Sequence, residues 1–216
     1  MAIDAGDLRV DYHGDELLES TAPANPFQLF ERWFTAAQES GSPEPNAMVL
    51  ATLTADGRPA ARVVLLKEAN AEGFVFYTNY DSRKGQELTA SPHAALVFNW
   101  LEMQRQVRIE GTVERVPAEV STAYFQRRPR KSQLGALASP QSQEIPGREF
   151  LETRLAELDA QFAGQDELPR PANWGGYLVR PQLIEFWQGR RSRLHDRLVY
   201  RTADGTNTWS RTRLAP

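Results

Sequence analysis

The chain has no cysteine among its 216 residues. That excludes disulfides, thiolate catalysis, cysteine-ligated zinc or iron–sulfur centres and thiol-linked cofactors together. Only three histidines are present, His13, His93 and His195, without HExxH-type spacing, so no metal site is expected. Positive charge is not in excess: 25 Lys and Arg against 28 Asp and Glu leave a formal net charge of −3. A general nucleic-acid binder, which gains affinity by displacing counterions, would need the opposite balance. No apolar run approaches the roughly 20 residues needed to cross a bilayer. The opening MAIDAGDLRV has neither a basic nor an apolar leader region, so a cytoplasmic location is expected. The phosphate-binding patterns GxxxxGK(S/T) and strand-linked GxGxxG are missing as well.

What remains is an ordinary globular composition, 41% hydrophobic, 25% charged and 10% aromatic. Residues 1–24 are polar, show no sustained period and read as a mobile arm; residues 25–216 are expected to form a single domain. Asn25 as cap and Pro26 in the first turn open a helix whose expected buried stripe is Phe27, Phe30, Phe34 and Ala37. Strands are expected at AMVLATLT (47–54) and ARVVLLKEA (61–69), joined through the Asp56-Gly57 hairpin signal. Further strands are expected at GFVFYTN (73–79), HAALVFNW (93–100) and RQVRIEGTVERV (105–116). In the last, Val107, Ile109 and Val113 alternate with polar positions that include Gln106. A short helix, DSRKGQELTA, lies at 81–90. Residues 117–163 read as helical, with Leu151, Leu155, Leu158 and Phe162 as the last helix's stripe. Strands resume at WGGYLVR (174–180), LIEFWQG (183–189), LHDRLVYRTA (194–203) and NTWSRTRL (207–214), the last two joined by Asp204-Gly205. About nine short strands with few helices imply an antiparallel barrel or sandwich covered by helices on one side.

Basic residues gather at four places, and a polar pair marks a fifth. Arg62 and Lys67 bracket RVVLLK; on one strand they face opposite ways about 16 Å apart, as expected of charges reaching solvent at strand ends. If Asp81 or Ser82 caps the short helix, Arg83 and Lys84 fall in its first turn, where the macrodipole disfavours cations unless an anion sits on the exposed amides. Tyr124 and Arg128 share a helical face, and Ser132 stands where the next helix would begin. That set suits either a monophosphate cradle or a solvated basic turn. Gln141 and Ser142 read as a polar turn. Finally, FWQGRRSRLHDR (186–197) lets Phe186 enter the core while Trp187 faces the other way. It also sets Arg193, His195 and Arg197 in a row on one strand face, which calls for something negative across them. No nucleophile–base pair or close carboxylate pair stands out, so hydrolysis is not expected. Cations, aromatics and amides suit a bound cofactor that brings its own chemistry.

Several segments carry a resemblance. RVVLLK (62–67), FYTNYDSRKGQEL (76–88), RQVRIEG (105–111), YFQRRPRKSQLGA (124–136), QS (141–142), NWGGY (173–177), IEFWQGRRSRLHDR (184–197) and the terminal RLAP resemble the pyridoxamine 5′-phosphate oxidase family, in order across nearly the whole chain. One departure is Leu137, where an aromatic residue commonly follows SQxGA. The resemblance implies a mainly β, antiparallel FMN-binding split barrel with flanking helices, assembled as a homodimer. It implies FMN contacts from Arg62, Val63, Val64, Leu65, Leu66, Lys67, Tyr77, Thr78, Arg83, Lys84, Gln106, Gln141, Ser142, Trp187 and Arg197, with Arg83 and Lys84 at the FMN phosphate. The substrate phosphate would meet Lys67, Tyr124, Arg128 and Ser132. Arg193, Leu194 and His195 would cover the pyridine ring, Arg193 and His195 as the catalytic pair. The arm stretch Arg9, Val10, Asp11 and Tyr12 occupies the family's substrate-contacting position.

The implied reaction converts pyridoxamine or pyridoxine 5′-phosphate to pyridoxal 5′-phosphate by hydride transfer from C4′ to flavin N5, with molecular oxygen reduced to hydrogen peroxide. The protein's share is positioning and electrostatics. Arg193 is expected to orient substrate and stabilise charge, since guanidinium hardly deprotonates, and His195 to hydrogen-bond ring substituents. The alternative is a split-barrel carrier or sensor that binds a flavin or pyridoxal phosphate without turnover. Such a flavin-only protein has no need of the Tyr124, Arg128 and Ser132 set.

Overall fold

A computed structural model describes residues 3–8, 10–202 and 208–216. Asn25 caps the first helix by accepting the Phe27 N–H at 2.9 Å, and Pro26 sits where a missing N–H costs nothing. Helix α1 (Pro26–Glu39) buries Pro26, Leu29, Phe30, Trp33 and Ala37. The expected stripe is therefore rotated. Phe27 and Phe34 lie half-buried at its margins, because the same three- and four-residue steps place the larger Trp33 inward.

The hairpin between β1 (Ala47–Leu53) and β2 (Pro59–Leu65) turns at Gly57, which is left-handed at φ +78° and donates its N–H to the Thr54 carbonyl at 2.9 Å. Strand β2 is shorter than expected. Leu66 turns into the core, and Glu68–Asn70 forms a separate strand, β3, antiparallel to β4 (Gly73–Asn79). Helix α2 (Arg83–Ala90), β5 (His93–Trp100) and β6 (Arg105–Arg115) fall where expected. So do α3 (Ala118–Arg127), α4 (Arg130–Ala138) and α5 (Arg148–Gln161). In α5 the expected apolar stripe is only partly used. Leu158 is buried while Leu155 stays 38% exposed, because the helix inserts its C-terminal half alone into the neighbouring apolar cluster.

The two strands expected at 174–180 and 183–189 are one continuous strand, β7 (Trp174–Gln188). Pro181 does not break it, since the φ fixed by its ring lies within the broad extended region. Strands β8 (Asp196–Thr202) and β9 (Trp209–Arg213) follow; the Asp204-Gly205 turn lies outside the described residues. The strand order is β2-β1-β5-β6-β7-β4-β3, with β8 pairing β7 and β9 pairing β8. Pairs β3–β4, β4–β7, β7–β8 and β8–β9 are antiparallel. No helix among the described residues is long and apolar enough to cross a membrane.

The chain forms two compact units. One comprises Met1–Leu50, Ala95–Gly111 and Pro181–Pro216; the other comprises Ala51–Ala94 and Thr112–Arg180. The first has an aromatic core in which Phe30 meets Phe98 at 5.1 Å, Trp33 meets Phe186 at 5.2 Å and Phe186 meets Tyr200 at 5.7 Å, mostly edge to face. The arm is tied to this unit. Leu17 is buried and donates its N–H to Asp196, and Arg213 pairs with Glu19 at 2.8 Å. In the second unit, Phe125, Leu134, Ala138, Leu158, Leu168 and Trp174 form a core cluster against which Tyr77, Tyr124 and Leu137 pack. Leu137, the departure from the family pattern, thus fills an ordinary apolar position.

Candidate functional site

In the second unit, the cation pair of α2 is built on a helix start. Ser82 caps the helix, its side chain accepting the Gly85 N–H at 3.3 Å. Gly85 is required there: a Cβ would lie 2.1 Å from the Tyr80 carbonyl oxygen. Lys84 folds back, its Nζ donating to Gln141 Oε1 at 2.7 Å and Thr78 Oγ1 at 3.2 Å. Burial, with the charge of Arg62 next, lowers its pKa, while Glu87 opposes that shift. Arg83 reaches Glu87 at 2.9 Å, an i,i+4 pair that offsets part of the macrodipole cost without any bound anion.

Glu87 joins these groups. Its carboxylate is 6% exposed and accepts from Thr52 Oγ1 at 2.6 Å, Arg62 Nη2 at 2.7 Å and Arg83 Nε. Burial pushes its pKa up, but those three hydrogen bonds outweigh burial and hold it below the ordinary carboxylate value. Sequence inspection passed over Glu87; its position four residues after Arg83 was the available signal. Along β2, Val63 is exposed and Val64 and Leu65 are half-buried; Leu66 is buried, and Lys67 is exposed beyond the strand end. Ser142 is exposed and left-handed at φ +71°, in the turn that presents Gln141.

A separate cation stands elsewhere in the same unit. Tyr77 and Tyr124 stack at 3.9 Å, and Tyr124 lies parallel to Trp174 at 6.2 Å. Arg128 lies over the Trp174 ring at 4.6 Å, and its buried Nη1 has no hydrogen-bond partner. Burial lowers the Arg128 pKa and raises those of Tyr124 and Tyr77. A buried guanidinium N–H without an acceptor is costly unless a ligand completes it. Ser132 is half-buried in the first turn of α4, its N–H donating to Pro129 O at 2.8 Å. Trp174, the platform beneath Arg128, was not singled out from the sequence.

In the first unit the expected row of Arg193, His195 and Arg197 on one strand face does not exist. Residues Arg191–Arg193 form a single 3-10 turn with Ser192 and Arg193 left-handed at φ +55° and +59°, and β8 begins only at Asp196. Arg197 is already neutralised. It is paired across β7–β8 with Trp187, and its Nε donates to Glu185 Oε1 at 2.7 Å from the diagonal position. Asp196 pairs with Arg213 at 2.6 Å and with Arg190 at 3.6 Å. Glu185, a charge inside an apolar strand, was the signal missed. His195 lies 4.7 Å from Trp187, and its Nδ1 accepts the Arg190 N–H at 3.1 Å, which places any neutral-state proton on Nε2. Burial, then the Arg193 charge, lowers its pKa. Tyr12 meets both rings edge to face, at 5.8 Å from Trp187 and 5.4 Å from His195. A cleft of about 520 Å³ is lined by Tyr12, His13, Arg190, Arg191, Ser192 and Leu194. Val10, Asp11 and Leu194 are exposed, Gln106 is half-buried on β6, and Arg9 lies outside the described residues.

Fold and side chains together define a mainly antiparallel β protein in which cations stand at two distinct places among hydroxyls, amides and stacked aromatics. Comparison with known proteins makes the class specific. Residues 34–162 match the family described as pyridoxamine 5′-phosphate oxidase, and residues 174–216 match the pyridoxine 5′-phosphate oxidase C-terminal dimerisation region. The chain is 58% identical to a pyridoxine/pyridoxamine 5′-phosphate oxidase of Microcystis aeruginosa over all of both chains. It is 55% identical to one of Salinibacter ruber over 97% of this chain and 98% of that one. Among solved structures, PhzG from Burkholderia lata, in complex with tetrahydrophenazine-1-carboxylic acid, matches at 34% identity and a TM-score of 0.86, covering 94% of this chain and 99% of its own. The chain belongs to the pyridoxamine 5′-phosphate oxidase family, and the split-barrel fold expected from the resemblance is the fold found.

Proposed function

We propose that the protein is an FMN-dependent oxidase that converts pyridoxamine and pyridoxine 5′-phosphate to pyridoxal 5′-phosphate, as a cytoplasmic homodimer with residues 25–216 as its catalytic domain. The observation that carries this reading is that one compact unit holds two separate cation groups: Lys84 with Arg83 and Arg62, and Arg128 with its unpartnered Nη1. A protein that binds only a flavin needs one phosphate site, and an oxidase of a phosphorylated vitamer needs two.

The residues present fit FMN. Arg62, Arg83 and Lys84 against one carboxylate leave a formal surplus of two positive charges beside the start of α2, matching a phosphate dianion. Thr78, Gln141 and Ser142 add hydroxyl and amide groups, and the resemblance also assigns Trp187 and Arg197 to the flavin. When bound, FMN supplies acceptance of the C4′ hydride and delivery of the electrons to oxygen, with hydrogen peroxide as co-product. Arg128, Tyr124, Ser132 and Lys67 would hold the substrate phosphate, so that binding energy remote from C4′ fixes the reacting geometry. Arg193 would orient the pyridine ring and stabilise charge on it, and its exposed turn leaves the guanidinium to the ligand. His195, neutral at pH 7 and carrying its proton on Nε2, would donate a hydrogen bond to a ring substituent. Tyr12, edge to face with Trp187 and His195, would shield the imidazole from water on that side.

The test is direct. Protein reconstituted with FMN and given aerobic pyridoxamine 5′-phosphate should yield pyridoxal phosphate and hydrogen peroxide in equal amounts. Tight binding of both ligands with no aldehyde would refute the oxidase and identify a carrier.

A further inference from the structure

Three cations assigned to the flavin phosphate would repel one another and wander in the empty protein; what keeps them together is visible in the packing. Glu87 is the group that Arg62 and Arg83 share, each oxygen of one buried carboxylate taking one guanidinium. Thr52 fixes the carboxylate in turn, donating to Oε2 at 2.6 Å, and Arg62 Nη1 also reaches the Thr52 hydroxyl. Two strands and a helix thus converge on a single anion, since Thr52 comes from β1, Arg62 from β2 and Arg83 from α2 itself. Arg83 is 66% exposed at its side chain, and it is the 2.9 Å pair with Glu87 that draws its guanidinium toward Arg62.

We propose that Glu87 is the positioning residue of the cofactor phosphate site. It pre-orders Arg62 and Arg83 in the empty protein, and so sets the preference for the phosphorylated flavin over the unphosphorylated one. This rests on the FMN reading above. Two effects oppose each other when the carboxylate is removed. The cations are released from an internal competitor, which favours a phosphate, but they lose the contact that orients them. The second dominates because a guanidinium recognises phosphate through a fixed fork of N–H groups, and a mobile, solvated arginine has to be ordered again on binding.

The experiment measures the dissociation constants of FMN and of riboflavin for the apoprotein by flavin fluorescence quenching, in wild type, Glu87→Gln and Glu87→Asp. Wild type should bind FMN far more tightly than riboflavin. Glu87→Gln keeps the shape but sets an amide N–H₂ against a guanidinium, and should weaken FMN by about tenfold or more, one hydrogen bond to a charged group, with riboflavin unchanged. Glu87→Asp keeps the charge on a shorter stem and should recover part of the loss; it also gives the answer should the Gln variant not fold. Equal weakening of both flavins would show a merely structural role and overturn the proposal, as would FMN affinity that is unchanged or tighter. Wild type that does not distinguish FMN from riboflavin would instead remove the FMN reading, and the proposal with it.

Discussion

Replacing Arg128 with methionine should stabilise the empty protein while crippling it. The buried Nη1 without an acceptor costs about 1–3 kcal/mol of unrecovered desolvation. Against that stands the cation–π contact with Trp174 at 4.6 Å, roughly 1 kcal/mol for a half-buried pair. Methionine retains much of the packing on the indole and brings no donor. The balance is a gain of about 1 kcal/mol, or roughly 2–4 °C in Tm for a chain of this length. Substrate binding moves the other way. Loss of a charge-assisted hydrogen bond to phosphate is worth about 1.5–3 kcal/mol, hence a KM for pyridoxamine 5′-phosphate raised roughly 10- to 150-fold. Thermal unfolding of the apoprotein and steady-state aldehyde formation measure the two halves separately. A Tm lowered by several degrees with an unchanged KM would refute the reasoning, because it would mean that Nη1 is already satisfied and does not meet the substrate.

Glu185→Ala should remove the partner that Arg197 and Arg108 share, but both guanidiniums keep access to water and Arg108 keeps Glu110, so the loss should be only about 1 kcal/mol, a Tm fall of roughly 2–4 °C by calorimetry. Glu19, held at about 2 chiefly by its hydrogen bond from Arg213, has a folded-state pKa below its ordinary 4.5. Its stabilisation is therefore complete above about pH 4.5 and lost as pH falls toward 2, and Glu19→Gln should flatten that limb of a Tm-against-pH curve. The effect should shrink in high salt, since the pair is largely exposed. His195 should titrate below 6.5 in the apoprotein by NMR, because burial and then Arg193 disfavour its cation, and Arg193→Gln should move the value up. A downward or absent movement would show that Arg193 does not act on the imidazole. Arg193→Ala should cut turnover far more than FMN retention, read as aldehyde formation against flavin absorbance.

Features that depend on neighbours in sequence were legible. Asn25 and Pro26 announce α1, and Asp56-Gly57 announces the first hairpin, each through a local hydrogen bond or a φ preference. Strands β4 and β5 were bounded correctly because apolar runs met turn residues at both ends. What depends on distant partners was not legible. The break between β2 and β3 follows from pairing with β4, and the continuity of β7 across Pro181 follows from its neighbours in the sheet. The left-handed pair Ser192 and Arg193 carries no glycine to advertise it, so the basic segment read as a straight strand with three aligned cations. The counter-charge of Arg197 lies twelve residues away and becomes a neighbour only once β7 and β8 are in register. For the same reason the resemblance named Arg62, Arg83 and Arg197, while the carboxylates that hold them emerged only from packing.

The alternation along the end of β7 has a consequence for length changes in this stretch. Phe186 turns to the aromatic core, while Glu185 and Trp187 share the opposite side with Arg197. Adding or deleting one residue between Pro181 and Glu185 would exchange the two sides, sending the carboxylate into the ring of Trp33 and the indole's neighbour Phe186 out to Arg197. Substitution can be absorbed there one side chain at a time, whereas a single-codon insertion would reverse the whole strand end at once.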